Sequence, residues 1–266
     1  MTTMEASYGT EQQAALLRKI DGSVGWLITT PGACHGGCCF ATDDPDLLGW
    51  DVILRRLRED GVFGFRLLAP GALAAVGERL AGQGYALDIR DVYAANANTV
   101  REALRALDLS APAGYRLIDA ETLTYPDTIR ETQALLAANG VAPVSAAMLS
   151  GRHGPCALAA ISGPNGAIAA AAFSHFPHNV HSRHDDNALV GPMVVDPGHR
   201  GKGLGAIVSA LAMRTMIERR GARTIHELAV PGDEAARQTA ERCGLALDET
   251  AKSALAVPQG ADPFTR

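Results

Sequence analysis

The stretch Val194-Val-Asp-Pro-Gly-His-Arg-Gly-Lys-Gly-Leu-Gly205 holds the residue types best suited to anion chemistry in this chain. An apolar run at 188–195 ends there, and a helical pattern opens on Gly201, Gly203 and Gly205. Glycines at such a junction let the backbone approach a ligand closely, while free N–H groups and the positive end of a helix dipole face it. The turn suits a pyrophosphate, with Arg200 and Lys202 beside it to offset two phosphate charges. Two phosphate-loop motifs fail here on spacing. A P-loop needs Ser or Thr after Gly-Lys, and Gly203 follows Lys202. A dinucleotide loop needs Gly-x-Gly-x-x-Gly, and the spacing here is Gly-x-Gly-x-Gly.

Other residues could move protons or hold metal. His175, His178, His181 and His184 recur every third residue and lead into Asp185 and Asp186, a set able to bind zinc or nickel. Pro177 breaks any helix that would align them, and a loop between adjacent strands is commonly solvated, so no metal is expected. A neutral imidazole from this loop, His178 being the candidate, could take a proton near neutral pH. Glu227 is a rival base, although its position also fits a solvent-facing strand residue. Cys34-His35-Gly-Gly-Cys38-Cys39 lacks a second Cys-x-x-Cys half and reads as a glycine-rich surface turn, or as a thiol-rich loop against a second domain.

The elements that must position these groups are clearest after residue 111. Strands are predicted at 115–119, 156–161, 167–173, 188–195, 224–230, 245–247 and 254–257, and helices at 127–139, 144–149, 204–219 and 233–242. Gly163-Pro-Asn-Gly166 marks a hairpin turn, and Asp233 stands where a helix needs its N-cap. Upstream, strands are predicted at 26–29, 62–68 and 85–92 and helices at 46–59 and 72–80. Leu68-Ala-Pro-Gly71, a helix and Gly84-Tyr-Ala-Leu87 match Leu228-Ala-Val-Pro-Gly232, a helix and Gly244-Leu-Ala-Leu247 with one-residue slips. Either a weak internal repeat or shared Ala/Leu/Gly composition produces that match.

Arg200-x-x-Gly203-x-Gly205 after an apolar strand resembles the acyl-CoA loop of the GNAT superfamily of N-acetyltransferases, and the resemblance extends over about 115–258. It implies an α/β (α+β) fold, a mixed, mostly antiparallel sheet flanked by helices. A smaller α/β amino-terminal domain at 1–112 would precede the acetyltransferase domain at 113–266, joined near Leu109-Ser-Ala-Pro-Ala-Gly114. The resemblance also implies acetyl-CoA as co-substrate, lying in a V-shaped gap between the strands 188–195 and 224–230. Backbone N–H groups of Met193, Val194 and Val195 would meet the pantetheine arm and thioester carbonyl. Arg200, Gly201, Lys202, Gly203, Leu204, Gly205 and Ala206 would hold the pyrophosphate, and Asp233 stands where the family often has an asparagine that touches the coenzyme arm.

The implied reaction is transfer of the acetyl group to a primary amine of a small molecule by direct attack on the thioester. The backbone at Val194 would serve the oxyanion, with His178 or Glu227 as base and the histidine loop on the acceptor side. One departure is plain: the family often carries a tyrosine four residues before the glycine closing the last helix, and here that residue is Ala240. The alternative is therefore a non-catalytic acyl-CoA-binding regulatory module.

Composition limits the partners. With 24 basic and 29 acidic residues the net charge is −5, which disfavours nucleic acid as a partner. The longest apolar region, 157–173, is interrupted by the Gly163–Gly166 turn and is too short to cross a bilayer. Five unevenly spaced cysteines and a Met1–Glu5 start without signal-peptide character point to a cytoplasmic chain with free thiols. A homodimer is left open.

Overall fold

The computed structural model describes residues 8–120 and 122–265; the Met1–Glu5 start lies outside them. In α1 (Glu11–Asp21) the Thr10 side chain and Gln13 cap each other reciprocally. α2 (Val24–Thr29) replaces the strand expected at 26–29. Its apolar residues do not alternate inward: Leu27 is buried while Ile28 is 53% exposed. The hairpin β1 (Ala33–His35) and β2 (Phe40–Thr42) is followed by α3 (Pro45–Leu48) and α4 (Trp50–Asp60). Gly49, at φ 92°, divides what the sequence presents as one helix. Then come β3 (Phe63–Leu68), α5 (Pro70–Ala81), β4 (Tyr85–Asn96) and α6 (Ala97–Arg105), the last capped by the Asn96 side chain.

The second half runs β5 (Arg116–Leu117), α7 (Pro126–Ala138), α8 (Ala146–Leu149), β6 (Cys156–Ser162), β7 (Ile168–His175) and β8 (Asn187–Val195). It ends with α9 (Leu204–Arg219), β9 (Thr224–Ala229), α10 (Glu234–Arg242) and β10 (Ala246–Pro258). The two short strands expected at 245–247 and 254–257 are thus one strand, with a register shift between Leu247 and Lys252.

Among the described residues ten strands form one sheet in the order β1-β2-β3-β10-β4-β9-β8-β7-β6-β5. Only the β2–β3 and β8–β9 pairs are parallel, so the sheet is mixed and mostly antiparallel, as expected. β10 lies between β3 and β4, so residues on both sides of position 112 build the same sheet. The order is also symmetric. Exchanging β2, β3 and β4 with β8, β9 and β10 turns β2-β3-β10-β4-β9-β8 into its own reverse.

The core explains where the site can form. α9 is buried on most of its surface, with Leu204, Ile207, Val208, Met213, Met216 and Ile217 packed against Ala157, Ala159, Ala170 and Ala172. Small strand residues let that apolar helix sit close to the sheet. On the other face α7 and α8 contribute Ile129, Leu136 and Met148 against Phe173 and Val194. β7, covered on both faces, is buried at every position and so shows no alternation in sequence.

Candidate active site

β8 and β9 pair only from Asn187–Thr224 to Val190–Glu227. Beyond that point β8 continues with β7 alone and β9 with β4 alone, so the two strands part and leave a gap. β8 carries an extra residue there: Val190 faces Ser174 and Met193 faces Ala172, so three steps on β8 match two on β7. Backbone direction follows from the ladder. Asp196 N donates to Ala169 O at 2.9 Å, so the two-residue alternation turns the N–H of Val194 toward β7 and those of Met193 and Val195 toward the gap. The Val195 carbonyl, free of β7, accepts from Arg200 Nε at 3.3 Å.

The glycine loop closes the open end of the gap. A short 3₁₀ turn, Pro197–His199, is capped by the Asp196 side chain. Gly201 and Gly203 then adopt φ 76° and 77°, conformations that side-chain-bearing residues rarely reach. Gly205 is needed for another reason: a Cβ there would stand 3.3 Å from Met193 Sδ and 3.4 Å from Val195 Cγ2. Gly203 caps α9 without a side-chain hydrogen bond, so the first N–H groups of a 16-residue helix are left for a ligand. Leu204 and Ala206 are themselves buried, so they would contribute backbone only.

The cations are arranged differently from the sequence expectation. Arg200 is exposed and also donates to Asn139 Oδ1 at 3.2 Å. Lys202 turns its ammonium onto Tyr115, donating to its hydroxyl at 2.7 Å, and that hydroxyl lies 2.8 Å from His199 Nδ1. Arg242 at the end of α10, which motif reading missed, reaches within 3.9 Å of the Cβ position at Gly203. Asp233 is the N-cap of α10, accepting from Ala236 N at 3.0 Å.

Glu227 is not solvent-facing. It is buried between its neighbours Val190 and Tyr93 where the strands part, Oε2 has no partner among the described residues, and burial followed by the nearby Asp233 charge pushes its pKa up to about 8. Ala240 is buried in the core beneath α9, and burial pushes the neighbouring Cys243 thiol up to about 12, with the Glu227 charge adding to it.

The histidine loop is packed against the amino-terminal half over 175–179, while Val180, His181, Arg183 and Asp185 are exposed. Asn179 Nδ2 lies 2.8 to 2.9 Å from the carbonyls of Leu27, Thr30 and Ala33, and His35 N donates to Pro177 O at 2.7 Å. Cys34 bridges to His178 across the junction. The Cys34–Cys39 segment is accordingly a buried hairpin and not a surface turn, with Cys34, Cys38 and Cys39 all free and buried. His178 Nδ1 lies 2.7 Å from Asp43 Oδ2, which also accepts from the Ser182 hydroxyl. Burial works to raise the Asp43 pKa, but the hydrogen bonds from His178 and Ser182 outweigh it and hold the carboxyl below its usual range. Burial drives four further imidazoles toward neutrality, His35 to about 3, His184 to about 4, and His175 and His226 well below the usual value. Among the described residues no three His, Cys, Asp or Glu side chains are placed to hold a metal ion.

A cavity of about 250 Å³ opens beside this loop. Leu27 and Ile28 of α2 form one wall, and Phe173, His175, Phe176 and His178 the other. Phe173 is the residue of β7 that stands opposite the extra residue in β8, so the cavity abuts the strand segment behind the gap.

Residues 119–245 match the model of the acetyltransferase (GNAT) family. A GCN5-related N-acetyltransferase from Kribbella flavida is similar in structure, with a TM-score of 0.51 at 20% identity over 83% of this chain and 78% of that one. A Drosophila protein is similar with a TM-score of 0.56 at 15% identity over 94% and 90%. These two likenesses concern the fold. No curated protein matches the chain.

Proposed function

Residues 119–245 belong to the acetyltransferase (GNAT) family, and from that premise we propose that the protein transfers the acetyl group of acetyl-CoA to a primary amine of a small molecule. The observation that carries this reading is the gap between β8 and β9, closed at its open end by the uncapped amino terminus of α9. Its residues suit the co-substrate. The N–H groups of Leu204, Gly205 and Ala206, with Arg200 and Arg242 alongside, complement a pyrophosphate. The gap-facing N–H groups of Met193 and Val195, rather than that of Val194, are the donors available to a thioester oxygen.

Bound acetyl-CoA supplies an activated acyl carbon and a thiolate leaving group. The chain positions the amine against that carbon, and positioning with oxyanion stabilisation provides most of the acceleration such a transfer needs. The missing tyrosine at Ala240 leaves the departing sulfur to take its proton from water. Glu227, largely protonated at neutral pH by its burial, is set as a proton carrier at the parting of the strands rather than as a ready base. Thiol release from acetyl-CoA, followed across a panel of primary amines, tests the reading: amine-dependent release is expected. Tight binding of acetyl-CoA without turnover of any amine would instead establish the regulatory module.

The symmetric strand order supports reading the amino-terminal stretch as a diverged partial copy of the acetyltransferase unit. That copy lacks an anion loop. Between β2 and α4 stand Asp43, Asp44 and Asp46, where Arg200 and Lys202 stand between β8 and α9.

A further inference from the structure

We propose that the cavity between α2 and the end of β7 is the acceptor pocket, that it takes a primary amine carried on a small apolar body, and that Asp43 of the amino-terminal half positions His178 to receive the amine's proton. This inference rests on the acetyl-transfer reading. Three observations lead to it. Of the polar groups lining the cavity, His178 is the one tied to a buried carboxylate: its side chain is 0% exposed and that of Asp43 5%. With Nδ1 donating to Asp43, Nε2 is the ring's acceptor, and it has no partner among the described residues. The cavity also abuts the β7 segment opposite the extra residue of β8, and His178 packs 6.2 Å, ring to ring, from His226, the neighbour of Glu227.

The lining sets the ligand class. Leu27, Ile28, Met148, Phe173 and Phe176 offer apolar surface; the polar groups among them include Asp185 and the imidazoles of His35, His153 and His175, of which His35 and His175 are held neutral by burial. The α2 wall and the two phenylalanines offer no polar partner, so a polyamine or a polyhydroxylated body would leave polar groups unpaired along them, at a cost in affinity. A body of roughly ten heavy atoms suits this volume.

The step balances as follows. The ammonium gives one proton to His178 Nε2, and the Asp43 carboxylate stabilises the imidazolium. The freed nitrogen pair forms the C–N bond, and the C–S bond breaks with its electron pair passing to sulfur. The nitrogen loses its second proton to water, the thiolate takes a proton from water, and the imidazolium returns its own to solvent. The groups that face His178 are Asp43, Ser182, His184 and His226, with His175 further along the cavity. His153, 3.3 Å from Asp21 on another part of the lining, is the competing base.

The test compares benzylamine and hexylamine with ethanolamine and spermidine, using the full-length protein and its Asp43→Asn, His178→Ala and His153→Ala variants. Acetyl-CoA affinity is measured by calorimetry in parallel. The apolar-bodied amines should turn over at least tenfold better in kcat/KM. His178→Ala and Asp43→Asn should each lower kcat by about 100-fold with acetyl-CoA affinity retained. Added imidazole should restore part of the His178→Ala rate, and Asp43→Asn should move the acidic limb of the pH–rate profile downward. Preference for the polar amines, no turnover of the apolar ones, a larger loss in His153→Ala, or a misfolded or unrescued His178→Ala together with an unshifted Asp43→Asn profile would overturn the proposal. In those cases retained acetyl-CoA binding leaves the coenzyme reading standing; loss of that binding in the unmodified protein overturns both.

Discussion

At the residue scale the glycine loop was legible because its chemistry is local. Arg200, Gly203 and Gly205 lie within six positions, and the φ values of Gly201 and Gly203 with the close approach at Gly205 explain why those residues are glycine. Arg200→Glu should weaken acetyl-CoA binding at least tenfold by calorimetry, since it places a like charge beside the pyrophosphate; unchanged affinity would remove Arg200 from the site. Glu227 and His178 were visible as candidates, but their environments were not. Tertiary burial sets both, through Tyr93 for one and through Asp43, 135 positions away, for the other. Burial lifts Glu227 from 4.5 to about 8. Between those values the folded chain holds a proton that the unfolded chain has lost, so this group makes stability fall as pH rises. Glu227→Gln should therefore raise the urea midpoint relative to the unmodified protein at pH 8 and lose that advantage near pH 5; an equal difference at both would contradict the buried acid. The neutral imidazoles act with the opposite sign. The unfolded chain protonates them near 6.5 and the folded chain lower, so stability contributed above 6.5 is lost as pH falls through 6 toward 4.

At the element scale, long segments with strong signals were readable and short or composite ones were not. α9 matches its predicted bounds because a buried strand precedes it and Gly221 follows its end. β1 and β2, three residues each, are too short to show a period. α2 carries a strand-like Trp-Leu-Ile-Thr run, yet it is helical because one turn suffices to bury Leu27 and bring carbonyls to Asn179. The histidine loop reads as polar and solvated, but the same Asn179 fastens it to the amino-terminal half. One amide with two hydrogens serves three carbonyl neighbours, two of them buried and one partly so, and Asn179→Ala should lower unfolding free energy by about 3 kcal/mol. Urea unfolding would measure this, and a change below about 0.5 kcal/mol would show that the loop is not fastened there.

At the scale of the whole molecule, the α/β class and the acetyltransferase segment were legible, whereas the continuity of the sheet was not. Strand order depends on pairings between residues more than 150 positions apart, such as Ala254 with Phe65, which no local pattern encodes. Because β10 lies between β3 and β4, removal of residues 1–112 strips it of both partners and bares the β4 side of β9. That truncated chain should not give a soluble, cooperatively unfolding protein; a stable folded fragment, seen by circular dichroism and urea titration, would contradict this dependence. Symmetry and charge together carry the central claim, that one anion loop on a duplicated frame makes one coenzyme site. Calorimetric titration of acetyl-CoA into the full-length protein tests it most directly. The expected result is saturable binding with one acetyl-CoA per chain; no binding, or two equivalents per chain, would contradict it.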